Sequence, residues 1–162
     1  MSTSVAKLGK LIFGGWFVAA MYLMLAVVMV AAALQGGGLG AVLVPWSTGL
    51  LAGAVLSLGV GTKTSSLRRA LWVEGRGSWG SAEIGERLRV LHVLWFAGLG
   101  ITVIAGVLTL FAYDGTQRVL AGLGTLTGLV FLIQPRTQLW SATRALNEFA
   151  REVAAQSNRF GH

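Results

Sequence analysis

The sequence predicts an all-α polytopic membrane protein with four transmembrane helices, arranged as two parallel hairpin repeats and followed by an amphipathic cytoplasmic helix. Three observations carry this. Apolar residues make up 54% of the 162 positions and charged residues only 12%, against about 25% charged in soluble domains. The apolar residues fall into four long runs, and a bilayer core about 30 Å thick needs roughly 20 of them as helix. The basic residues gather between runs in alternate connections, where lipid headgroups would meet them.

The runs place spans at about 11–34, 41–60, 90–113 and 117–135. Leu11 to Leu34 carries no charge, and its length exceeds the 7–15 residues of a signal-peptide core, so it reads as a retained span. The second run has Pro45 in its first turn, where a missing N–H is tolerated. The third runs from Val90 to Tyr113. The fourth, Val119 to Ile133, reaches spanning length only by taking in Thr116 to Arg118 or by continuing past Pro135. All four are apolar on every side, whereas a barrel strand alternates over about 10 residues. A helix also satisfies its own backbone hydrogen bonds in lipid.

Orientation follows from the flanking cations. Lys7 and Lys10 precede the first span; Lys63, Arg68, Arg69, Arg76, Arg87 and Arg89 fill the 61–89 connection; Arg136, Arg144, Arg151 and Arg159 follow the fourth. Arg118 stands alone on the opposite side, beside Asp114, and the glycine run Gly36 to Gly38 there has no basic neighbour. Both termini are therefore expected in the cytoplasm, and the setting expected is a bacterial inner membrane. The net charge of +7 is read as contact with anionic headgroups, with Lys10, Arg68, Arg69, Arg89, Arg136 and Arg144 as the contacts; no nucleic acid is expected.

An internal repeat organises the chain. Gly49–Leu71 aligns without a gap on Gly124–Leu146, with Thr62/Thr137, Ser66/Ser141 and Arg69/Arg144 among the identities. Upstream, Lys10 to Phe17 matches Arg89 to Phe96, each a cation followed six residues later by Trp-Phe. Each unit is a hairpin plus a cytoplasmic segment, so both enter the membrane in the same sense. Gly49-x-x-x-Gly53 and Gly124-x-x-x-Gly128 fall at matching places, and small residues one turn apart let helix backbones approach closely in lipid. Spans 2 and 4 are expected to meet through these glycines, at the centre of the bundle or with neighbours.

After the fourth span, residues 137–156 read as a helix lying along the membrane, with Leu139, Leu146, Phe149 and Val153 at helical spacing and Trp140 beside them. Thr64 to Trp72 is its counterpart in the first unit. Val73 to Gly85, rich in Gly and Ser, reads as a loop anchored by Trp72 and Trp79.

Reactive chemistry is sparse. There is no cysteine, no phosphate-binding glycine loop with a lysine and no HExxH. No apolar run carries Asp, Glu, Lys or Arg, the residues that mark proton relays and ion paths. Ser57, Thr102, Thr109, Thr125 and Thr127 are expected to bond back to their own helices. His92 lies three residues inside Arg89, about 4.5 Å along the axis. Its only companion, His162, is the last residue. The run Leu91-His92-Val93-Leu94-Trp95-Phe96-Ala97-Gly98 resembles the opening helix of CopD-like and related small four-span bacterial membrane proteins. Some of those bind haem or copper, so the resemblance implies His92 as a possible ligand; the family's second ligand has no match in this sequence. No resident cofactor is expected. The function expected is a non-catalytic subunit that assembles with itself or with other membrane subunits. A haem- or metal-handling redox protein using His92, and a small oligomeric pore or carrier, are the alternatives.

Overall fold

The computed structural model describes residues 3–34, 40–73 and 81–160. The glycine run at 36–38, Arg76, Trp79 and His162 lie outside the described residues, as does the side chain of Arg159. The fold is all-α, in the order α1 (Thr3–Leu34), α2 (Gly40–Val73), α3 (Ser81–Ala112), α4 (Gly115–Val130) and α5 (Ile133–Phe160). Four stretches are long and apolar enough to cross a membrane, the last taking α4 and α5 together. α1 and α3 each have 32 residues and α2 has 34. At 1.5 Å per residue they run to about 50 Å, well past a 30 Å hydrocarbon core. The surplus projects at the end carrying Lys7, Lys10, Lys63, Arg87 and Arg89, the basic end.

α2 is the hub. It packs on all four other helices, while α1 makes no close backbone approach to α3 or α4 among the described residues. Half of the apolar stretch of α2 is buried inside the protein (50%), against 17% for α1 and 22% for each of the other two. On α1 the buried positions Leu8, Ile12, Gly15, Ala19, Tyr22 and Ala26 alternate by fours and threes. That spacing keeps one seam on α2 along most of the helix, with Leu8 at its start reaching α5 as well.

Two cores result. One lies among Tyr22, Ala26, Leu50 and Ala54, closed by Trp46 and Phe131. Phe131 meets Tyr22 edge-on, with ring centroids 5.5 Å apart, and stacks on Trp46. The larger core fills the basic end, where Leu8, Leu67, Leu71, Ile84, Leu88, Leu139, Leu146 and Phe149 from four helices come together.

Three boundaries differ from those read from the sequence, two of them because of this larger core. α5 starts at Ile133 rather than Thr137, and its apolar face is inside the protein rather than on the membrane surface: Leu139, Leu146 and Phe149 are each 2% exposed or less. Ser81 to Gly85 belongs to α3, not to a loop, because Ile84, Leu88 and Leu91 form one buried stripe against the same core. Lastly, the fourth span is two helices joined at residues 131–132. Pro135 has no N–H to give to the Phe131 carbonyl, and its ring crowds that carbonyl. The chain answers with a tighter turn, Leu132 N–H to Leu129 O at 3.0 Å, before α5 resumes.

At the opposite end only Tyr113 and Asp114 separate α3 from α4. Gly115 supplies the left-handed backbone (φ 56°) that this tight link requires. Arg118 reaches back from α4 to the carbonyls of Leu110 (3.1 Å) and Tyr113 (3.2 Å) while pairing with Asp114 at 2.8 Å. It thus caps the otherwise unsatisfied end of α3.

Candidate functional site

α2 and α4 meet closely at the glycines of the repeat. A Cβ added to Gly49 would lie 2.5 Å from the Gly128 Cα, and one added to Gly128 would lie 2.6 Å from the Pro45 carbonyl oxygen. A Cβ on Gly124 would lie 2.5 Å from the Val42 carbonyl oxygen. Gly53 faces the Tyr22 ring (2.8 Å) and the Phe131 carbonyl (3.1 Å). Backbone meets backbone here, the arrangement in which dispersion and weak C–H···O contacts act at full strength. The pairing is not symmetric. Gly49 sits beside Gly128 and Val42 beside Gly124, so α4 is displaced by about one to two turns from the register of a 75-residue repeat.

Three further glycines make room for close neighbours elsewhere, two of them for side chains. Gly15 of α1 lies against the Ser57 carbonyl (2.9 Å from a Cβ) and Gly61, while Gly61 is covered by Trp16. Gly106 of α3 lies against the Thr125 side chain. The signal for Gly61 was present in the sequence: Gly49, Gly53, Ser57 and Gly61 recur every four residues, a stripe of small residues three turns long. Gly98, Thr102 and Gly106 form a second stripe on α3. Of the polar residues in the spans, Thr102, Thr109, Thr125 and Thr127 bond to the carbonyls four residues back. Ser57 does not; its buried hydroxyl has no partner among the described residues.

The basic residues divide into two groups. Arg136 lies over the Trp95 ring at 5.0 Å and Arg144 over the Trp140 ring at 4.7 Å, geometries in which the ring face attracts the cation. Lys10, Arg68, Arg69 and Arg89 have no ion-pair partner among the described residues. Lys7, outside the expected contact set, pairs with Glu148 of α5 at 3.0 Å, and Ser4 donates to Glu152 at 2.5 Å. These contacts tie the start of α1 to α5.

His92 is half-buried on α3, one turn from the Leu88 carbonyl, which lies 3.2 Å from Nδ1. A carbonyl only accepts, so Nδ1 is the donor in this contact. Among the described residues no three His, Cys, Asp or Glu side chains gather where they could hold a metal. The arrangement can pack helices and attract anions. Comparison with family models, with curated proteins and with solved structures gives no match.

Proposed function

We propose that this chain is a non-catalytic subunit or assembly protein of a bacterial membrane complex, seated in the inner membrane with both termini in the cytoplasm. The single observation that carries the reading is the unequal burial of the spans. α2 is half buried, while α1, α3 and the α4–α5 span leave most of their apolar surface outside the fold. One helix holds the bundle together through backbone-close glycine contacts, and three offer faces to lipid and to neighbouring helices.

The fold is proposed to have arisen by duplication of a hairpin. α1 and α3 have equal length. Trp16 covers Gly61 and Trp95 packs under Arg136, and the partners in each pair occupy matching positions of the two aligned units. On this reading α5 is the second unit's cytoplasmic segment, grown long enough to close the basic end. Lys10, Arg68, Arg69 and Arg89, without an ion-pair partner among the described residues, then face the cytoplasmic leaflet and the water beyond it, which fixes orientation by attraction to anionic headgroups.

Native mass spectrometry of protein extracted gently from its own membrane tests the proposal. A defined homo-oligomer, or a complex with another membrane polypeptide, is the expected result. A single chain carrying a mass that fits haem or a metal would overturn it in favour of a redox role centred on His92.

A further inference from the structure

Outside the glycine seam, the described residues form a groove of about 530 Å³ at the basic end, where the start of α1 meets the last turns of α2 and the middle of α5. That volume lies in the range of small-ligand sites rather than of extended interfaces. Arg68 and Arg69 line it, and neither has an ionic partner among the described residues. Four residues after Arg68, and so on the same face of α2, stands Trp72. Its indole stacks on Phe149 (interplanar angle 13°, centroids 6.4 Å apart) yet remains 68% exposed. Val5 and Val153 complete the apolar wall, and Ser65 and Gln156 add uncharged hydrogen-bonding groups; one carboxylate, Glu152, also lines the groove and accepts from the Ser4 hydroxyl, so two guanidinium groups stand against a single acid there.

Depth decides what can occupy it. Taking Lys10, Lys63 and Arg89 as the level of the bilayer edge, Arg68 lies about 7.5 Å and Trp72 about 13.5 Å beyond along α2. A headgroup layer is roughly 5–8 Å thick on each side, so Val5 and Arg68 lie at its outer edge while Trp72 stands clear of it, beyond the reach of an acyl tail. The groove is also open along one side, which suits a ring face better than a chain that must be enclosed. The ligand must therefore arrive through water, carry negative charge for two guanidinium forks, and present a flat apolar body to an exposed indole.

We propose that this groove binds a nucleoside phosphate from the aqueous side, with its ring system on the exposed face of Trp72 and its phosphate on Arg68 and Arg69. The proposal uses the placement of the basic end outside the bilayer, and it is independent of whether the chain assembles with other subunits.

The test is binding of N-methylanthraniloyl-ADP to the protein in phosphatidylcholine nanodiscs, followed by energy transfer from tryptophan. Saturable binding is expected, displaced by unlabelled ADP but poorly by adenosine or by pyrophosphate at the same concentration. R68Q/R69Q and, separately, W72A should each weaken it by about tenfold or more, the factor that corresponds to losing roughly 1.4 kcal/mol. K10Q/R89Q should leave it within about twofold, a change of under about 0.5 kcal/mol. Arg68 is half-buried and W72A also removes the stack on Phe149, so W72F, which keeps an aromatic face there, is the control and is expected to retain binding. Absence of saturation, equal affinity in R68Q/R69Q, or pyrophosphate competing as well as ADP would overturn the proposal; the last would mean an anion resting on a basic surface. If mass spectrometry finds a lone chain but the nucleotide binds as described, the assembly reading falls and this site stands.

Discussion

Trp95 of α3 donates its indole N–H to the carbonyl oxygen of Leu132 at 3.0 Å, and Leu132 sits at the break between α4 and α5. The bond falls where Pro135 has disturbed the helical ladder: the same carbonyl receives only a long bond (3.4 Å) from Arg136 N–H. The Arg136 guanidinium lies over the same indole. Trp95 thus fixes both the broken backbone and the side chain that follows it. W95F keeps an aromatic face for Arg136 but leaves the Leu132 carbonyl underbonded in a half-buried place. It is expected to cost about 1–2 kcal/mol of stability in detergent and to raise amide exchange around residues 131–137. Unchanged exchange there would show that the break is held by Pro135 alone.

The glycine seam makes a sharper contrast. At Gly49 a methyl group would enter the backbone of Gly128, which has no flexible end to move aside. α2 and α4 must separate, and G49A is expected to destabilise by about 1–3 kcal/mol or more. Gly122, on the same α4 but with open space where its Cβ would be, is the control. G122A should be neutral or stabilising by up to about 1 kcal/mol, from helix propensity alone. Melting of both variants in one detergent decides the matter, and equal effects would remove the seam from the argument.

Much of this was legible in the sequence, for reasons that also mark its limit. Four charge-free runs can satisfy their backbones in lipid only as helices, and glycines one turn apart at matched positions point to close packing. The amphipathic periodicity of α5 was visible too, but Leu139, Leu146 and Phe149 recur at the same spacing whether they face lipid or protein. Only their burial against Leu8, Leu71 and Leu88 distinguishes the two. Gly15 has no partner glycine a turn away, and its role depends on which part of α2 passes it. The stagger of α4 against α2 is likewise a tertiary choice, set by Pro45, Val42 and Tyr22, that no local pattern encodes.

The turn between α3 and α4 supplies a local test. Gly115 holds a left-handed conformation (φ 56°) with open space around it, so any cost of a side chain there is conformational and not steric crowding from neighbours. G115A is expected to cost about 1–2 kcal/mol, whereas G115N should recover part of that loss because asparagine enters this region more readily. An asparagine variant no better than alanine would mean that the turn changes type instead of bearing the strain.

The last prediction separates burial from charge in holding α5 to the bundle. Two kinds of contact join them: the Lys7–Glu148 pair, whose side chains are 59% and 41% exposed, and the fully buried Leu146. An exposed pair gains little, because water and salt screen it and two long side chains lose freedom, so K7Q should change stability by under about 1 kcal/mol. L146A removes a side chain surrounded by the ends of α1, α2 and α3 and leaves a cavity, at an expected cost of about 2–5 kcal/mol. Because α4 remains seated on α2 through its glycines, the damage should be local. Limited proteolysis should then release fragments cut beyond residue 136 in L146A and not in K7Q. If K7Q instead loosens α5 as much as L146A does, electrostatic attachment holds this helix and the buried stripe is secondary.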